Sequence, residues 1–432
     1  MSSMMSRSRR SRILRVLHEQ NVQMLALAHA AVDLEQLEAR QQRRRRRWWV
    51  RPIYVSRPLH GHYDCLMQEL HLDDHTTFKE FLRVDEATFH DLLARVEVRI
   101  TRQTTNARLP ISPGMKLAFT LRFLATGNYY RDMRFSFRVA HNTMSKLILE
   151  VCQALVDVME DEFIKIPTVA EEWQAVAHDF QQKWQFPHTL GALDGKHIRI
   201  TKPPHGGSLY YNYKQFDSIV MMALVDANYK FLWVQIGDAG SCSDGQIWNH
   251  CDLQAALSTG VLGVPVADPL PGDNVNTPYF IIADDAFAMK THLMKPFPRR
   301  GLEGAERVFN YRLSRARRVV ENAFGILANR FRCLLTTMHI RVQRVPLIVR
   351  TCVVLHNYLR VRYPGADNHV VDLENADHQL IPGAWRTDAV MADVNQRQCG
   401  NRDSQAAKTQ RLDLKNYFMS PAGSVPWQDR MV

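Results

Sequence analysis

The chain has 432 residues, 46% of them hydrophobic, and a formal net charge of +11. This composition is typical of a globular protein with room for roughly two or three domains, and it argues against a disordered chain. The seven cysteines form no CxxC pair and no apolar stretch is long enough to cross a membrane, so we expect reduced thiols in a nuclear or cytosolic protein.

Residues 1–50 are interpreted as a basic N-terminal appendage. Residues 1–51 contain 12 arginines against four acidic residues. Five of these arginines are consecutive: Arg43, Arg44, Arg45, Arg46 and Arg47. Consecutive like charges repel one another and do not enter a core, so this run predicts a nuclear localisation signal or an arm that binds DNA phosphates. We expect the protein in the nucleus, and also consider the cytoplasm.

Residues 51–184 are predicted to form a helical domain. Apolar residues recur there at three- and four-residue steps, as in amphipathic helices. Residues 112–159 resolve into three helices, which we place at Met115–Thr126, Tyr130–Phe137 and Asn142–Met159. Two short helices and a longer third match a helix-turn-helix module, with Lys146 as a candidate DNA contact. A purely structural three-helix cluster is the alternative interpretation.

The pattern changes to strands near residue 188. Predicted strands lie at 189–195 with its continuation at 197–200, and at 218–225, 231–237 and 279–283; predicted helices lie at 243–257, 313–330 and 345–361. Strands followed by mixed strands and helices indicate an α/β domain with a mixed sheet over 185–365. Residues 366–432 are polar and irregular, which predicts a C-terminal tail or a covering strap.

Three carboxylates stand out by their positions. Asp194 and Asp284 each follow an apolar strand, and Glu321 flanks the apolar face of an arginine-rich helix. Strand ends beside a crevice are where α/β sheets present ligand groups. A few carboxylates suffice to bind Mg²⁺ or Mn²⁺, and two such ions promote phosphodiester hydrolysis. We therefore predict that these three residues are catalytic and bind metal.

The same helix lies in a second basic cluster. Residues 299–332 contain nine arginines against three acidic residues. Two separated arginine clusters favour a polyanionic partner, most simply DNA. We predict that Arg315, Arg317 and Arg318 contact DNA phosphates around the metal site. A solvated charged helix face is the alternative.

Each carboxylate also has a purely structural interpretation. Asp194 and Gly195 could form a turn, and Asp284 or Asp285 could cap a helix. Glu321 could pair with an arginine three or four positions earlier. Among the other polar residues, we assign Asp226 to a hairpin turn and Asp244, or Ser243 before it, to a helix cap. His197 and His356 could orient carboxylates or phosphates, but we favour structural roles for both.

Three segments together resemble the PIF/Harbinger transposase family. They are Gly191–His197, Ala283–Phe287 and Arg317–Leu327. Their order matches the family, and so do the spacings of 90 residues from Asp194 to Asp284 and 37 more to Glu321. Weaker similarities extend the resemblance over most of the chain from about residue 43.

The resemblance implies a ribonuclease-H-like catalytic domain with a DDE triad and bound Mg²⁺ or Mn²⁺. Asp194 would lie on the first strand, Asp284 after the fourth, and Glu321 on the helix that closes the site. The implied activity is DNA endonuclease or transposase chemistry. The implied partners are DNA, a separate Myb/SANT-like DNA-binding protein and a second copy of the chain. The alternative function is a catalytically silent, transposase-derived DNA-binding or scaffold protein.

Overall fold

The chain divides into two compact units, residues 1–56 and 57–432. The computed structural model describes residues 23–24, 26–34, 50–103, 110–387, 389–394 and 403–431. In the first unit, residues 26–34 are helical and Pro52–Val55 forms one further helical turn. The five consecutive arginines lie outside the described residues. The domain boundaries predicted at 184 and 365 both fall inside the second unit and stay predictions.

Helices fill the first part of the second unit. After the turn Arg57–His60 they are α1 Leu66–Asp73, α2 His75–Leu82, α3 Glu86–Ile100, α4 Pro113–Thr126, α5 Tyr130–Ser136, α6 His141–Phe163 and α7 Ala170–Trp184. The local sequence explains α4: Ser112 caps it by accepting from Met115 N, and Gly127 ends it with φ = 70°. The three predicted helices of 112–159 are therefore present, and their function as a helix-turn-helix module stays a prediction.

A mixed sheet follows, with the strand order β3-β2-β1-β6-β7. Its strands are β1 Thr189–Arg199, β2 Ser218–Val225, β3 Phe231–Ala239, β6 Phe280–Ile282 and β7 Leu293–Met294. β1 pairs antiparallel with β2, and β2 with β3, whereas β6 pairs parallel with β1 on one side and with β7 on the other. The prediction of an α/β fold with a mixed sheet is confirmed.

Shorter elements complete the region between β3 and β6. The predicted helix 243–257 is in fact two helices, α8 Asp244–His250 and α9 Asp252–Thr259. Cys251 separates them with extended backbone, and its thiol accepts a hydrogen bond from Gln254 N at the start of α9. The strands β4 Asp268–Pro269 and β5 Asn276–Thr277 form a separate two-stranded sheet.

Two long helices cover the sheet. α10 spans Gly304–Arg330 and contacts β1 and β2, and α11 spans Val345–Arg362 and contacts β3 and α6. α10 begins earlier than the predicted Leu313 because Glu303 and Glu306 form a capping box at its start. One hydrophobic cluster runs from the N-terminal helices through this face of the sheet.

Residues 366–432, predicted as an irregular tail or a covering strap, contain regular structure. α12, Gln405–Met419, packs against α10 and buries Leu414 and Phe418 completely. The pairs β8 Leu373–Glu374 with β9 Leu380–Ile381, and β10 Ala392–Asp393 with β1, add further structure. The narrow apolar face of α12 is interrupted by polar residues, which hides its helical period.

The described part of the chain contains six of the seven cysteines. The six cysteines there are free thiols. Within the same residues, no helix has the length and apolarity needed to span a bilayer.

Candidate active site

Two of the predicted carboxylates meet because their strands are parallel neighbours. In the register between β1 and β6, Ala192 lies opposite Ile282. Asp194 and Asp284 each follow two residues later, so Asp194, still within β1, lies beside Asp284 just beyond the end of β6. Both side chains are buried, and Asp284 accepts a hydrogen bond from Ala286 N at 3.0 Å. Asp285 is exposed, which supports the choice of Asp284.

A third aspartate joins this pair. Asp244 is the first residue of α8 and is only 1% exposed. One carboxylate oxygen each from Asp194, Asp244 and Asp284 lies within 4.8 Å of the other two. The interpretation of Asp244 as a helix cap is wrong, because Ser243 is the N-cap and forms a capping box with Gln246. The carboxylate of Asp244 is thereby left to face the other two aspartates.

The backbone of β1 leaves room for this approach at Gly195. A Cβ atom on Gly195 would overlap Oδ1 of Asp244, so a side chain here would displace that carboxylate. The alternative that Asp194 and Gly195 form a turn is wrong as well. Both residues lie within β1, where they pair with Ala223 and Met222 of β2.

Burial makes this acidic group electrostatically unfavourable by itself. Desolvation raises the pKa of Asp284 to about 6; the charge of Arg317 opposes the shift and that of Asp194 adds to it. Desolvation also raises the pKa of Asp244 well above its usual range, and the charges of Asp194 and Asp284 raise it further. The two carboxylates therefore need positive charge nearby if both are to be ionised.

One buried cation, Lys196, and one largely buried cation, Arg317, supply part of that charge. Lys196 Nζ lies 3.0 Å from Oδ2 of Asp194 and also contacts the carboxylate of Asp393 in β10. Arg317 Nη2 lies 3.8 Å from Oδ1 of Asp194. Burial disfavours the charged guanidinium, yet the surrounding carboxylates raise the pKa of Arg317 above its ordinary value. Both cations sit on the side of Asp194 that faces α10.

Glu321 lies beyond Arg317. Its Oε1 is 3.8 Å from Arg317 Nη1, and its Oε2 accepts from Arg386 Nη2 at 3.2 Å. The side chain is 28% exposed, unlike the buried aspartates. The structure therefore brings Asp194 and Asp284 together directly, whereas Glu321 is linked to Asp194 through the shared Arg317.

Asp194, Lys196, Arg317 and Glu321 line one cleft with a volume of about 470 Å³, whereas Asp244 and Asp284 lie behind Asp194 and do not line it. Residues 384–394, which we call the strap, form part of its wall; residue 388 lies outside the described residues. The strap pairs with β1 through β10, and Arg386 bonds both Glu321 and the buried Asp372. Trp385 packs on α10 so closely that a Cβ atom on Gly325 would lie 2.5 Å from its Cγ.

The predicted DNA-contacting arginines of α10 are engaged inside the protein. Arg315 is buried and donates to both carboxylate oxygens of Glu374, at 2.7 and 2.9 Å, and Arg318 pairs with the same residue. As placed, the donors of Arg315 are all engaged within the protein, and the assignment of Arg315, Arg317 and Arg318 to DNA contacts stays a prediction. Arg317 faces the aspartates. Lys146 is exposed on α6.

Both histidines have partners within the fold. His197 Nδ1 lies 2.9 Å from Ser218 Oγ, and His356 Nε2 lies 2.8 Å from the carbonyl oxygen of Tyr229. Desolvation lowers the pKa of His197 to about 4 and that of His356 to about 3, so both are neutral near pH 7. These contacts agree with the structural interpretation of both residues.

Sequence reasoning missed four residues of the site. Asp244 was detectable in principle, because Ser243 and Gln246 form a capping box that makes Ser243 the cap. Lys196 lies two positions from Asp194 and so shares its face of β1. Arg386 and Asp393 gave no local signal, because their partners lie far away in the chain.

The donor set fits a divalent metal ion. Three carboxylates offer only oxygen ligands, which suit Mg²⁺ and Mn²⁺ better than softer metals. Oδ1 of Asp244 is buried with no hydrogen-bond partner among the described residues, so it has the capacity to accept a ligand bond.

Comparison with known proteins identifies the domain that carries the site. Residues 193–357, from β1 into α11, match the family model described as "DDE superfamily endonuclease". The human protein named "Putative nuclease HARBI1" is 24% identical over 271 residues, which are 62% of this chain and 72% of that protein. Residues 193–357 are thus similar to DDE superfamily endonuclease domains. The resemblance stated from the sequence is thereby confirmed.

Other relatives of the DDE domain extend the comparison to cattle and plants. The protein of the same name from Bos taurus is 25% identical over 263 residues, 60% of this chain and 70% of that protein. "Protein ALP1-like" from Arabidopsis thaliana is 22% identical over 293 residues, 66% of this chain and 71% of that protein. No solved structure matches this chain. At the level of the family, these matches support a nuclease.

Proposed function

We propose that this protein is a metal-dependent DNA endonuclease or transposase in which Asp194, Asp284 and Glu321 form the DDE triad. The observation that carries the proposal is the parallel register of β1 and β6, which brings two buried aspartates from distant parts of the chain next to each other at the end of β6. The match to the DDE superfamily endonuclease model supports phosphodiester hydrolysis as the reaction.

We also propose that the sheet and α10 form a ribonuclease-H-like fold. Three antiparallel strands are followed by two parallel strands on the other side of β1. Asp194 lies on the first strand of the main sheet, and Asp284 follows β6, its fourth strand in chain order. Glu321 lies on α10, the long helix that packs across the same sheet.

In this proposal three residues bind the metal, and two neighbouring cations position them. Asp194, Asp284 and Glu321 would hold Mg²⁺ or Mn²⁺, and bound ions of this kind activate a water and stabilise the leaving oxygen of a phosphodiester. Lys196 fixes the carboxylate of Asp194 through its contact at 3.0 Å. The guanidinium of Arg317 contacts Asp194 through Nη2 and Glu321 through Nη1.

Glu321 is free to adjust at low energetic cost. Its ion pairs with Arg317 and Arg386 are partly exposed and measure 3.8 and 3.2 Å. Pairs of this kind contribute about 0–1 kcal/mol each, so a stronger ligand contact can replace them. The same two pairs support the alternative function, a catalytically silent DNA-binding or scaffold protein, because they hold Glu321 outside the aspartate group.

The remaining proposals concern partners and location. DNA is the proposed partner, contacted by the basic segment Arg43–Arg47 and by Lys146 of the 112–159 helices. A Myb/SANT-like protein and a second copy of the chain are proposed as further partners. The nucleus is the proposed location, because DNA is the substrate.

The test is nicking of supercoiled plasmid by the full chain in Mg²⁺ or Mn²⁺, compared with Asp194→Asn, Asp284→Asn and Glu321→Gln. We expect nicking that requires the metal and is at least about 100-fold slower in each variant, because each loses a charged oxygen ligand. Asp285→Asn is the matched control, since Asp285 adjoins Asp284 but is exposed.

Each other outcome has a definite meaning. Nicking that persists in all three variants would show that a different site or a contaminating nuclease is responsible. If only Glu321→Gln remains active, the aspartates alone form the metal site. If the wild-type protein does not cut but binds DNA in a salt-dependent manner, the silent scaffold is the better description.

A further inference from the structure

One oxygen of the aspartate group differs from the others in its surroundings. Asp194 has Lys196 at 3.0 Å, and Asp284 accepts a hydrogen bond from Ala286 N. Asp244 is only 1% exposed, and its Oδ1 is buried yet has no hydrogen-bond partner among the described residues. A buried carboxylate oxygen without a partner loses the solvation it has in water and gains nothing in return.

The environment increases this cost. Asp244 faces Asp194 and Asp284 at distances within 4.8 Å, so its charge is opposed by two like charges. The positive charge of Lys196 offsets part of this repulsion, but the direct contacts of Lys196 are with Asp194 and Asp393, and those of Arg317 are with Asp194 and Glu321. An arrangement of three buried carboxylates is stable when they share a multivalent cation.

The local structure is built to bring Asp244 to this position. Ser243 and Gln246 cap α8 between them, so the carboxylate of Asp244 is not needed at the helix end. Gly195 provides the space, because any Cβ atom there would collide with Oδ1 of Asp244. The capping box at Ser243 and the glycine at position 195 thus both allow the carboxylate of Asp244 to approach β1.

We infer that Asp244 is a ligand of a divalent metal ion that it binds together with Asp194 and Asp284. Ligands of one Mg²⁺ ion at about 2.1 Å lie about 3.0–4.2 Å from one another. The three aspartate oxygens lie within 4.8 Å of one another, so they are near enough to share one ion. The ion would be held by three aspartates from β1, from the segment after β6 and from α8. The inference rests on the proposed function, because it assigns a further ligand to the metal of that site.

The test is a calorimetric titration of the full chain with Mn²⁺, comparing wild type, Asp244→Asn and Asp284→Asn. Asp252→Asn is the matched control, since Asp252 is exposed at the start of the neighbouring helix α9. We expect the Kd for Mn²⁺ to rise at least about 10-fold in Asp244→Asn and Asp284→Asn and to be unchanged in Asp252→Asn. An unchanged Kd in Asp244→Asn would overturn the inference.

Thermal unfolding separates loss of a ligand from loss of the fold. In chelator, Asp244→Asn should melt at or above the wild-type temperature, because one of three mutually repelling carboxylates is gone. In Mn²⁺ it should gain less stability than wild type, because fewer ligands bind the ion. An Asp244→Asn protein that melts below wild type in chelator would show a structural role and contradict the inference.

Gly195→Ala provides a second variant that removes no charge. Its Cβ atom should push Asp244 away and weaken Mn²⁺ binding, while a wild-type Kd would count against the inference.

The two proposals fail in different ways. If wild type binds no Mn²⁺, the proposed metal-dependent function fails with the inference. If wild type binds Mn²⁺ and Asp284→Asn does not, but Asp244→Asn binds normally, only the inference fails.

Discussion

Neighbouring acidic residues in this chain have very different surroundings. Asp284 is buried beside Asp194, whereas Asp285, one position later, is exposed. The backbone after β6 turns successive side chains to different sides, so one position decides whether a carboxylate enters the site. Asp244 illustrates the converse, because an aspartate at the start of a helix can look like a cap until Ser243 is recognised as the cap.

His356 gives a prediction about pH and stability. It is fully buried, its Nε2 donates to the Tyr229 carbonyl at 2.8 Å, and desolvation lowers its pKa to about 3. An unfolded histidine has a pKa of about 6.5, so between these values the unfolded chain binds a proton that the folded chain does not. The free energy of unfolding should therefore fall as the pH decreases from about 6.5 toward 3.

The measurement is urea unfolding at several pH values between about 4 and 7.5, for wild type and His356→Gln. In this window, the slope of the free energy of unfolding against pH should be smaller in the variant than in wild type. The difference is at most about 1.4 kcal/mol per pH unit, which corresponds to uptake of one proton on unfolding. His178→Gln controls for the loss of an exposed imidazole. Equal pH dependence in wild type and His356→Gln would mean that His356 is not held neutral by the fold.

At the scale of elements, local signals worked where they did not depend on distant contacts. β2 has the predicted bounds, and the Asp226 turn is confirmed by bonds from Asn228 N and Lys230 N to its carboxylate. β1 is longer than either of its predicted pieces, because pairing with β2 carries the strand through Asp194 and Gly195. Cross-strand hydrogen bonds outweigh the turn preference of the Asp-Gly pair.

The packing of the strap on α10 gives a second prediction. Gly325→Ala would place a methyl group 2.5 Å from Cγ of Trp385. Such overpacking costs about 1–3 kcal/mol, and the better helix propensity of alanine offsets up to about 1 kcal/mol of it. We expect a net decrease of up to about 2 kcal/mol in the free energy of unfolding, together with faster hydrogen exchange in residues 384–394.

Gly304→Ala is the matched control on the same helix. A Cβ atom on Gly304 would meet no neighbouring atom within 4 Å, so its stability and hydrogen exchange should stay at or slightly above wild type. If Gly325→Ala exchanges in the strap at the wild-type rate, Trp385 does not hold the strap against α10.

At the scale of the whole molecule, charge is distributed unevenly. Residues 1–51 hold 12 arginines against four acidic residues, in a chain whose net charge is +11. Such a distribution favours binding to nucleic acid without sequence preference. In the second unit many arginines are already paired with carboxylates, as Arg315 is with Glu374, so they add little to the field outside.

This distribution predicts how DNA affinity depends on salt. Replacing Arg43–Arg47 with alanine should weaken binding to a short duplex and reduce the slope of log K against log salt by about 0.9 for each DNA phosphate that is no longer neutralised. Fluorescence anisotropy at several KCl concentrations measures both. Replacing the same five residues with lysine is the control and should keep the slope. An unchanged slope in the alanine variant would exclude the segment as a phosphate-binding arm.

The sequence by itself determined the succession of elements and two members of the site. Helix period, caps and apolar strands are local properties of neighbouring residues, so they predicted the α/β fold, the helices of 112–159, the strand that carries Asp194 and the strand that precedes Asp284. The positions of Asp194, Asp284 and Glu321 suggested a metal site, and the family resemblance supported the same three residues by their order and spacing.

Only the tertiary structure decided which groups share the site. The register of β1 with β6, the capping of α8 and the return of the strap bring Asp244, Arg386 and Asp393 to Asp194 and Glu321. The same packing buries Arg315, which looked like a surface cation in the sequence. These outcomes depend on contacts between residues far apart in the chain, and no local pattern encodes the distance between two such side chains.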